Sequence, residues 1–450
     1  MFAIEPESES QMFERVLIAN RGEIALRILR TCHEMGIETV AVYSKVDSEL
    51  LHLRYATDVV CISKDSYMDA RSIVVAARNS GCDAVHPGYG FLAEDADFAA
   101  LVEGEGLTFI GPEPGSISSM GDKSNARKLA LSFGLNPVPG SDAVLDNPAA
   151  ARTVAGKIGY PLIIKAAHGG GGRGIRIVTD PKDLEDAFNA AGMEAEAAFS
   201  SGGLYIEKFL DHARHIEVQI VGDGAGKAIH LGSRECSVQR KHQKLVEEAP
   251  ASNVPADLLL AVCSRSSEMA AGLSYRGVGT LEFLYQDGEF NFIEMNTRIQ
   301  VEHPVTECVT GIDIVRMQIE LAATGRLELV QEDVRIKGHS IECRVNAEDE
   351  NFNPNPGLIY DLVLPGGYGV RVDTHLYNEY KIPHQYDSLI AKIITEGDSR
   401  HEALVRMRRA LGEFSVRGIT SNVGLHKRVC DHESFINAAV DTNFLEREII

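Results

Sequence analysis

A chain of 450 residues with 44% hydrophobic and 24% charged residues is too long for one core, which serves roughly 250–300 residues, so two to four domains are expected. Its formal net charge of −21 disfavours a nucleic-acid backbone as the main partner. No run of about 18 apolar residues is present to span a membrane, and eight scattered cysteines without Cys-x-x-Cys or zinc-type spacing read as small core residues of a cytoplasmic protein.

Residues 1–12 carry Glu5, Glu7 and Glu9 and lack a basic or apolar leader region; a disordered tail is expected there. Residues 16–19 form a short apolar strand, and Arg21-Gly22-Glu23 opens a helical pattern through Ile24, Leu26, Ile28 and Leu29. A strand at 39–43 and further alternation at 59–62, 73–77 and 84–86 predict a doubly wound α/β domain. A single glycine in its first turn leaves the dinucleotide fingerprint incomplete, so NAD is not expected. The chain turns helical from Asp122-Lys123-Ser124 to about Phe133, and 136–140 reads as a linker. A small α+β lobe starts at Tyr160, its strand 161–166 running into the glycines 169–172, Arg173 and Gly174. The last segment, 339–450, opens with a strand at 340–345 and ends in helices rich in Arg and Leu.

The densest chemistry lies in residues 282–305. Gln286-Asp287-Gly288 suits a three-residue hairpin loop closed by Gly288 in the left-handed conformation. Side chains alternate along a strand, so an odd loop brings Glu282 and Glu294 to one face as diagonal neighbours, with Asn296 beside them. If the chain stays extended, Arg298, Gln300 and Glu302 follow on that face. Leu281, Phe283, Tyr285, Ile293 and Met295 then form the opposite, apolar face, while Phe290 and Phe292 share the charged one. Paired carboxylates with an amide on a partly apolar wall are hard oxygen ligands suited to Mg²⁺.

Two other groups stand out. Lys165 ends the buried-looking strand just before the glycine run, which permits close backbone approach to an anion without being a Walker A loop; together they read as a nucleotide-phosphate lid. Glu207-Lys208-Phe209-Leu210 closes a strand fit to meet an adenine and ribose, followed by His215-Ile-Glu217-Val-Gln219. Residues 239–244 read as a dense polar loop able to supply donors to an anion.

From about Phe13 to its end the chain resembles biotin carboxylase, the ATP-grasp component of biotin-dependent carboxylases. The matching motifs are Ile18-Ala-Asn-Arg-Gly-Glu-Ile-Ala-Leu-Arg27, His86-Pro-Gly-Tyr-Gly-Phe-Leu92, Met120-Gly-Asp-Lys123, the run 169–174, and the segment from Ile293 to Glu307. The resemblance implies an α/β and α+β multidomain architecture: a Rossmann-like N-terminal domain at 13–124, an ATP-grasp domain at 125–338 with a mobile lid lobe at about 142–210, and a C-terminal biotin carboxylase domain at 339–450. It implies that Lys123, Lys165, Gly171, Gly172, Glu207, Lys208, Phe209, Leu210, His215, His242, Glu282, Leu284 and Glu294 hold ATP. Two Mg²⁺ ions, or Mn²⁺, would sit on Glu282, Glu294 and Asn296. Lys244, Arg298, Gln300, Val301 and Glu302 would surround bicarbonate, and Tyr89, Gly90, Gln239, Arg298 and Arg344 would line the biotin site. Glu302 is then the general base, and Arg298, Arg344 and Lys244 are the catalytic cations.

The resemblance further implies dimerisation involving Arg30, Glu34 and Arg371. The chain has no Ala-Met-Lys-Met hairpin, so biotin is expected on a separate biotin carboxyl carrier protein, with carboxyltransferase subunits as further partners. Acetyl-CoA carboxylase is the expected parent complex; pyruvate, 2-oxoglutarate and other acyl-CoA carboxylases are alternatives.

Overall fold

The computed structural model describes residues 12–166, 175–199 and 202–450. Most of the expected tail and the glycine run with Gly171 and Gly172 lie outside the described residues. No helix among the described residues is long and apolar enough to cross a membrane, and all cysteines but Cys61 and Cys308 are buried.

The N-terminal strands Arg15–Ile18, Glu38–Ser44, Asp58–Ser63, Ala84–His86 and Thr108–Phe109 form one parallel sheet in the order third, second, first, fourth, fifth. The order reverses between the first and fourth strands. At such a switch point the loops leaving the carboxyl ends diverge and open a crevice. The loop after the fourth strand carries the expected Tyr89 and Gly90. Asn20, after the first strand, donates from Nδ2 to the Pro87 and Tyr89 carbonyls at 2.7 Å each. This tether needs glycine at position 88: φ there is +64°, and a Cβ would lie 2.9 Å from Asn20 Nδ2.

The central element is an eight-stranded antiparallel sheet in the order Glu289–Asn296, Arg276–Gln286, Arg214–Asp223, Ala228–Arg240, Gln243–Ala249, His339–Asn346, Leu389–Gly397, Val370–Thr374. It runs through the expected boundary at 338/339 without a break. Cys343, Ile393 and Val246 face one large core shared with the C-terminal helices. Period-two alternation therefore turns their neighbours Glu247, Glu342, Arg344 and Lys392 to the opposite face.

A small third unit pairs Arg176–Val178, Leu162–Ala166 and Leu204–Lys208 beneath the helices Pro148–Ile158 and Leu184–Phe199. Its own core includes Leu162, Ile164, Phe188, Leu204 and Ile206. It joins the rest through the segment read as a linker, where Ser141 N donates to the Ile206 carbonyl at 2.8 Å.

The hairpin expected to hold the metal differs from its expected form. Gln286 pairs with Glu289, so the loop has two residues, Asp287 and Gly288, both at positive φ (53° and 84°); Asp-Gly at two such positions is the favoured type I′ turn. That register alone would put Glu294 on the face opposite Glu282. A bulge at Ile293 shifts the ladder by one residue, so Glu282 pairs directly with Glu294. The shared face is as expected, but it arises from turn and bulge together, and the two acids are direct rather than diagonal neighbours. The two-residue turn itself puts Phe290 and Phe292 on the apolar side, Phe292 in the core with Leu281, Phe283 and Met295 and Phe290 packed against it.

Candidate active site

The site is built around a cross-strand row. Glu294, Glu282, Glu217 and Arg234 lie opposite one another on four successive strands. Like charges directly opposed on a sheet repel, and all three acids are largely buried, so cations must compensate. Arg234, fully buried, donates from Nε to Glu217 at 3.1 Å and also holds Gln219, Gln300, Thr280 and Thr306. Lys244 Nζ sits among Glu217, Glu282 at 2.9 Å and Glu302 at 2.8 Å. His215 Nε2 lies 3.0 Å from Glu282. Burial opposes the imidazolium, but Glu282 and Glu217 raise its pKa to about 9. Burial also opposes the charges on Glu217 and Glu282, and Lys244 with its fellow cations holds both well below the usual carboxylate range.

The far end of the row lacks that compensation. Burial pushes the Glu294 carboxyl up, and the Glu282 carboxylate beside it pushes it further. A cavity of about 200 Å³ opens there, lined by Glu94, Lys123, Glu294, Asn296 and Thr297 among others. Two directly opposed carboxylates beside a cavity lined in part by Glu94, Lys123 and Asn296 fit a hard divalent cation. Asn296 donates from Nδ2 to Glu282 at 2.8 Å while its Oδ1 accepts from Arg298 at 2.9 Å, so its amide must turn over for its oxygen to join such a cation.

Past Asn296 the chain does not stay extended; the strand ends, and Glu302 takes the N-cap position of the helix His303–Thr310 without a side-chain capping bond. Gln300 still reaches the row, donating to Glu282 at 2.7 Å. Glu302 accepts from Lys244 on Oε1 and from Arg344 on Oε2, at 2.8 and 3.0 Å. Burial pushes its carboxyl up, but Lys244, Arg344 and Arg234 outweigh burial and hold it at about 2. Arg344 also donates to Glu247 at 2.5 Å. Arg298 points elsewhere: its Nε meets Glu94 at 2.7 Å, so it lines the cation end of the site rather than Glu302.

The expected nucleotide residues gather at the junction with the small unit. Lys165 donates to Glu207 at 2.6 Å, and Arg127 meets the other oxygen at 3.2 Å. Lys208 anchors to the Tyr160 carbonyl at 2.8 Å. Leu284 pairs with His215 across the ladder. Burial lowers the His242 pKa and the Lys165 charge lowers it further. Residues 239–244 are a hairpin turn rather than a loop: Gln239, Arg240, Gln243 and Lys244 lie on strands, and Lys241 and His242 turn at positive φ. Gln239 is buried and hydrogen-bonded to His215 at 3.2 Å. Tyr89 hydrogen-bonds Glu23 from the switch-point loop. Arg30 and Glu34 are exposed, whereas Arg371 is bonded within the chain to Glu307 and Asp373, at 2.7 Å each.

Sequence reasoning missed Arg234, Glu247 and Glu94 as site residues. Alternation marked Glu217 and Gln219, but only the cross-strand pairing shows that an arginine must lie beside them.

An antiparallel sheet carrying a row of acids, closed on one side by a small lobe with a strand-end lysine, defines an ATP-grasp enzyme. Three family descriptions match in chain order: "Biotin carboxylase, N-terminal domain" at 12–117, "Carbamoyl-phosphate synthase L chain, ATP binding domain" at 122–330 and "Biotin carboxylase C-terminal domain" at 342–447. The biotin carboxylase of Pseudomonas aeruginosa is 51% identical over 97% of this chain and 99% of that protein. The Campylobacter jejuni biotin carboxylase structure, solved as a β-γ-ATP complex, has a TM-score of 0.95 at 43% identity, covering 98% of this chain and 100% of that one. The biotin carboxylase domain dimer of Hydrogenobacter thermophilus 2-oxoglutarate carboxylase, solved with MgADP, ADP and bicarbonate, has a TM-score of 0.94 at 44% identity, covering 97% and 98%. The chain belongs to the biotin carboxylase family and is an ATP-dependent ligase.

Proposed function

We propose that this chain uses MgATP and bicarbonate to carboxylate biotin borne on a separate carrier protein, and that it serves acetyl-CoA carboxylase as a homodimer working with a carboxyltransferase. The observation that carries the catalytic reading is Glu302 held between Lys244 and Arg344, beside the Glu282–Glu294 pair. A bicarbonate anion entering between the two cations takes over their donors. Glu302, still buried and next to Glu217, then becomes a stronger base and can accept the bicarbonate proton. The resulting carbonate oxygen attacks the γ-phosphorus of ATP, the bond to ADP breaks, and carboxyphosphate forms. Lys123 and Lys165 steady the phosphates; a cation on Glu282, Glu294 and Asn296 supplies further neutralisation of the transferring group when bound. Carboxyphosphate splits into CO₂ and phosphate, phosphate takes the N1′ proton of biotin, and that nitrogen bonds to CO₂. Arg344 stabilises the oxygen that gains charge on the biotin ring. Arg298 holds Asn296 and Glu94 at the phosphate end and orients the intermediate.

The test is ATP cleavage by the purified chain. Cleavage that requires bicarbonate and rises with free biotin supports the reading; cleavage unmoved by biotin favours a ligase of the carbamoyl-phosphate type instead. The acetyl-CoA assignment is supported by the run of full-length relatives, bacterial and chloroplastic, named as separate biotin carboxylases; the biotin carboxylase parts of a 2-oxoglutarate and a pyruvate carboxylase, each 44% identical, carry the alternative. Co-purification with a carrier and carboxyltransferase, assayed with acetyl-CoA, pyruvate and 2-oxoglutarate, separates the two.

A further inference from the structure

Lys392 is fully buried in the middle of the strand Leu389–Gly397, with Arg344 opposite it on one neighbouring strand and Asp373 on the other. Two cations directly opposed in a buried stretch of sheet are unfavourable. Each cation is matched by a different set of groups. Arg344 is bonded to Glu247 and Glu302. Lys392 Nζ donates to the Val301 carbonyl at 2.9 Å and forms an ion pair with Glu23 at 3.0 Å, with Asp373 at 4.0 Å. The Glu23 oxygen that meets Lys392 also accepts the Tyr89 hydroxyl. One ammonium thus links three distant segments: the first turn of the helix Gly22–Glu34, the switch-point loop through Tyr89, and the residue before Glu302.

We infer that Lys392 and Glu23 are positioning residues: Lys392 sets the Val301–Glu302 corner against Arg344, and through Glu23 it fixes Tyr89 at the biotin wall. This rests on the carboxylation reading above and adds to it the parts that register one substrate's pocket to the other's. The two variants separate the branches. Glu23→Gln loosens Tyr89 but leaves Lys392 on Val301, whereas Lys392→Met releases both.

Steady-state ATP cleavage by the full chain, varying bicarbonate, biotin and ATP in turn, tests this. Glu23→Gln is expected to raise KM for biotin several-fold with KM for bicarbonate within about twofold of wild type. Lys392→Met is expected to raise both and to lower kcat/KM for biotin on the order of 10- to 100-fold, with KM for ATP unchanged. The double variant should be no worse than Lys392→Met, because one linkage cannot be lost twice. Effects of the single variants that multiply, equal movement of the ATP and biotin constants, or wild-type constants in Glu23→Gln overturn the assignment. Should Lys392→Met fail to fold in a thermal melt, the split in Glu23→Gln decides alone. A wild-type chain that shows no bicarbonate-dependent cleavage refutes the functional reading itself, which is a separate outcome.

Discussion

Glu302→Gln isolates the proposed base with little change in shape. The amide keeps a carbonyl oxygen for one of the two donors that now reach Glu302, Lys244 at 2.8 Å and Arg344 at 3.0 Å. Lys244 retains Glu217 and Glu282, and Arg344 retains Glu247, so no cation is stranded and the loss of stability stays at about 1–3 kcal/mol. Catalysis loses more. Removing a positioned general base costs about 10²- to 10⁴-fold, or about 3–5 kcal/mol of barrier at 1.36 kcal/mol per tenfold. Lys165 and Glu207, proposed to meet the nucleotide, are bonded to each other and not to Glu302, so KM for ATP is expected to stay within about twofold. A coupled assay of ADP release at saturating bicarbonate reads kcat, and a thermal melt checks folding. A folded Glu302→Gln enzyme with wild-type kcat refutes the reasoning.

Arg344→Ala frees one Glu302 oxygen as well as the biotin side, so both reactions slow, but biotin carboxylation is expected to fall by about tenfold more than bicarbonate-dependent ATP cleavage; equal losses would remove Arg344 from the biotin step. Mn²⁺ or Mg²⁺ is expected to raise the melting temperature of the wild type and to leave Glu294→Gln unmoved, since that variant lacks one of the two opposed carboxylates; an equal rise in both places the cation elsewhere. Glu248 is buried, yet hydrogen bonds from His339 and Arg400 outweigh burial and lower its pKa from 4.5 to about 2. With the folded value depressed, its contribution of about 3 kcal/mol is present above pH 4.5 and lost as the pH falls through 2; Glu248→Gln should flatten the acid limb of a denaturation series. Glu342 is the opposite case: burial pushes its carboxyl well above the ordinary range, and neither oxygen has a hydrogen-bond donor. The unfolded chain then loses that proton first and stability falls as pH climbs, so Glu342→Gln is expected to gain about 1–2 kcal/mol at pH 8, measured by urea denaturation; a loss there would show that its charge is needed by Lys392.

Much of the fold was legible because alternation is local. The strands at 15–18, 38–44, 58–63 and 84–86 and the helix after Asp122 lie close to their expected places, since apolar period and caps act over a few residues. The shared face of Glu282 and Glu294 was legible too, although through the wrong turn. An Asp-Gly pair prefers a two-residue type I′ loop, and the parity it spoils is restored by a bulge that nothing near Ile293 announces. The extension past Asn296 failed because a distant residue draws the chain off the ladder: Thr297 N donates to Glu94 at 3.0 Å, and Glu302 takes the N-cap position of a helix.

By itself the sequence determined the local elements and the residue types of the site, because backbone preference and side-chain chemistry are carried by short segments. Which charge compensates which was decided only by the tertiary structure. Arg234 joins Glu217 through strand register, and Arg298 turns to Glu94 across more than two hundred residues. Lys392 and Glu23, at opposite ends of the chain, meet because a buried ion needs a counter-ion wherever the fold can bring one.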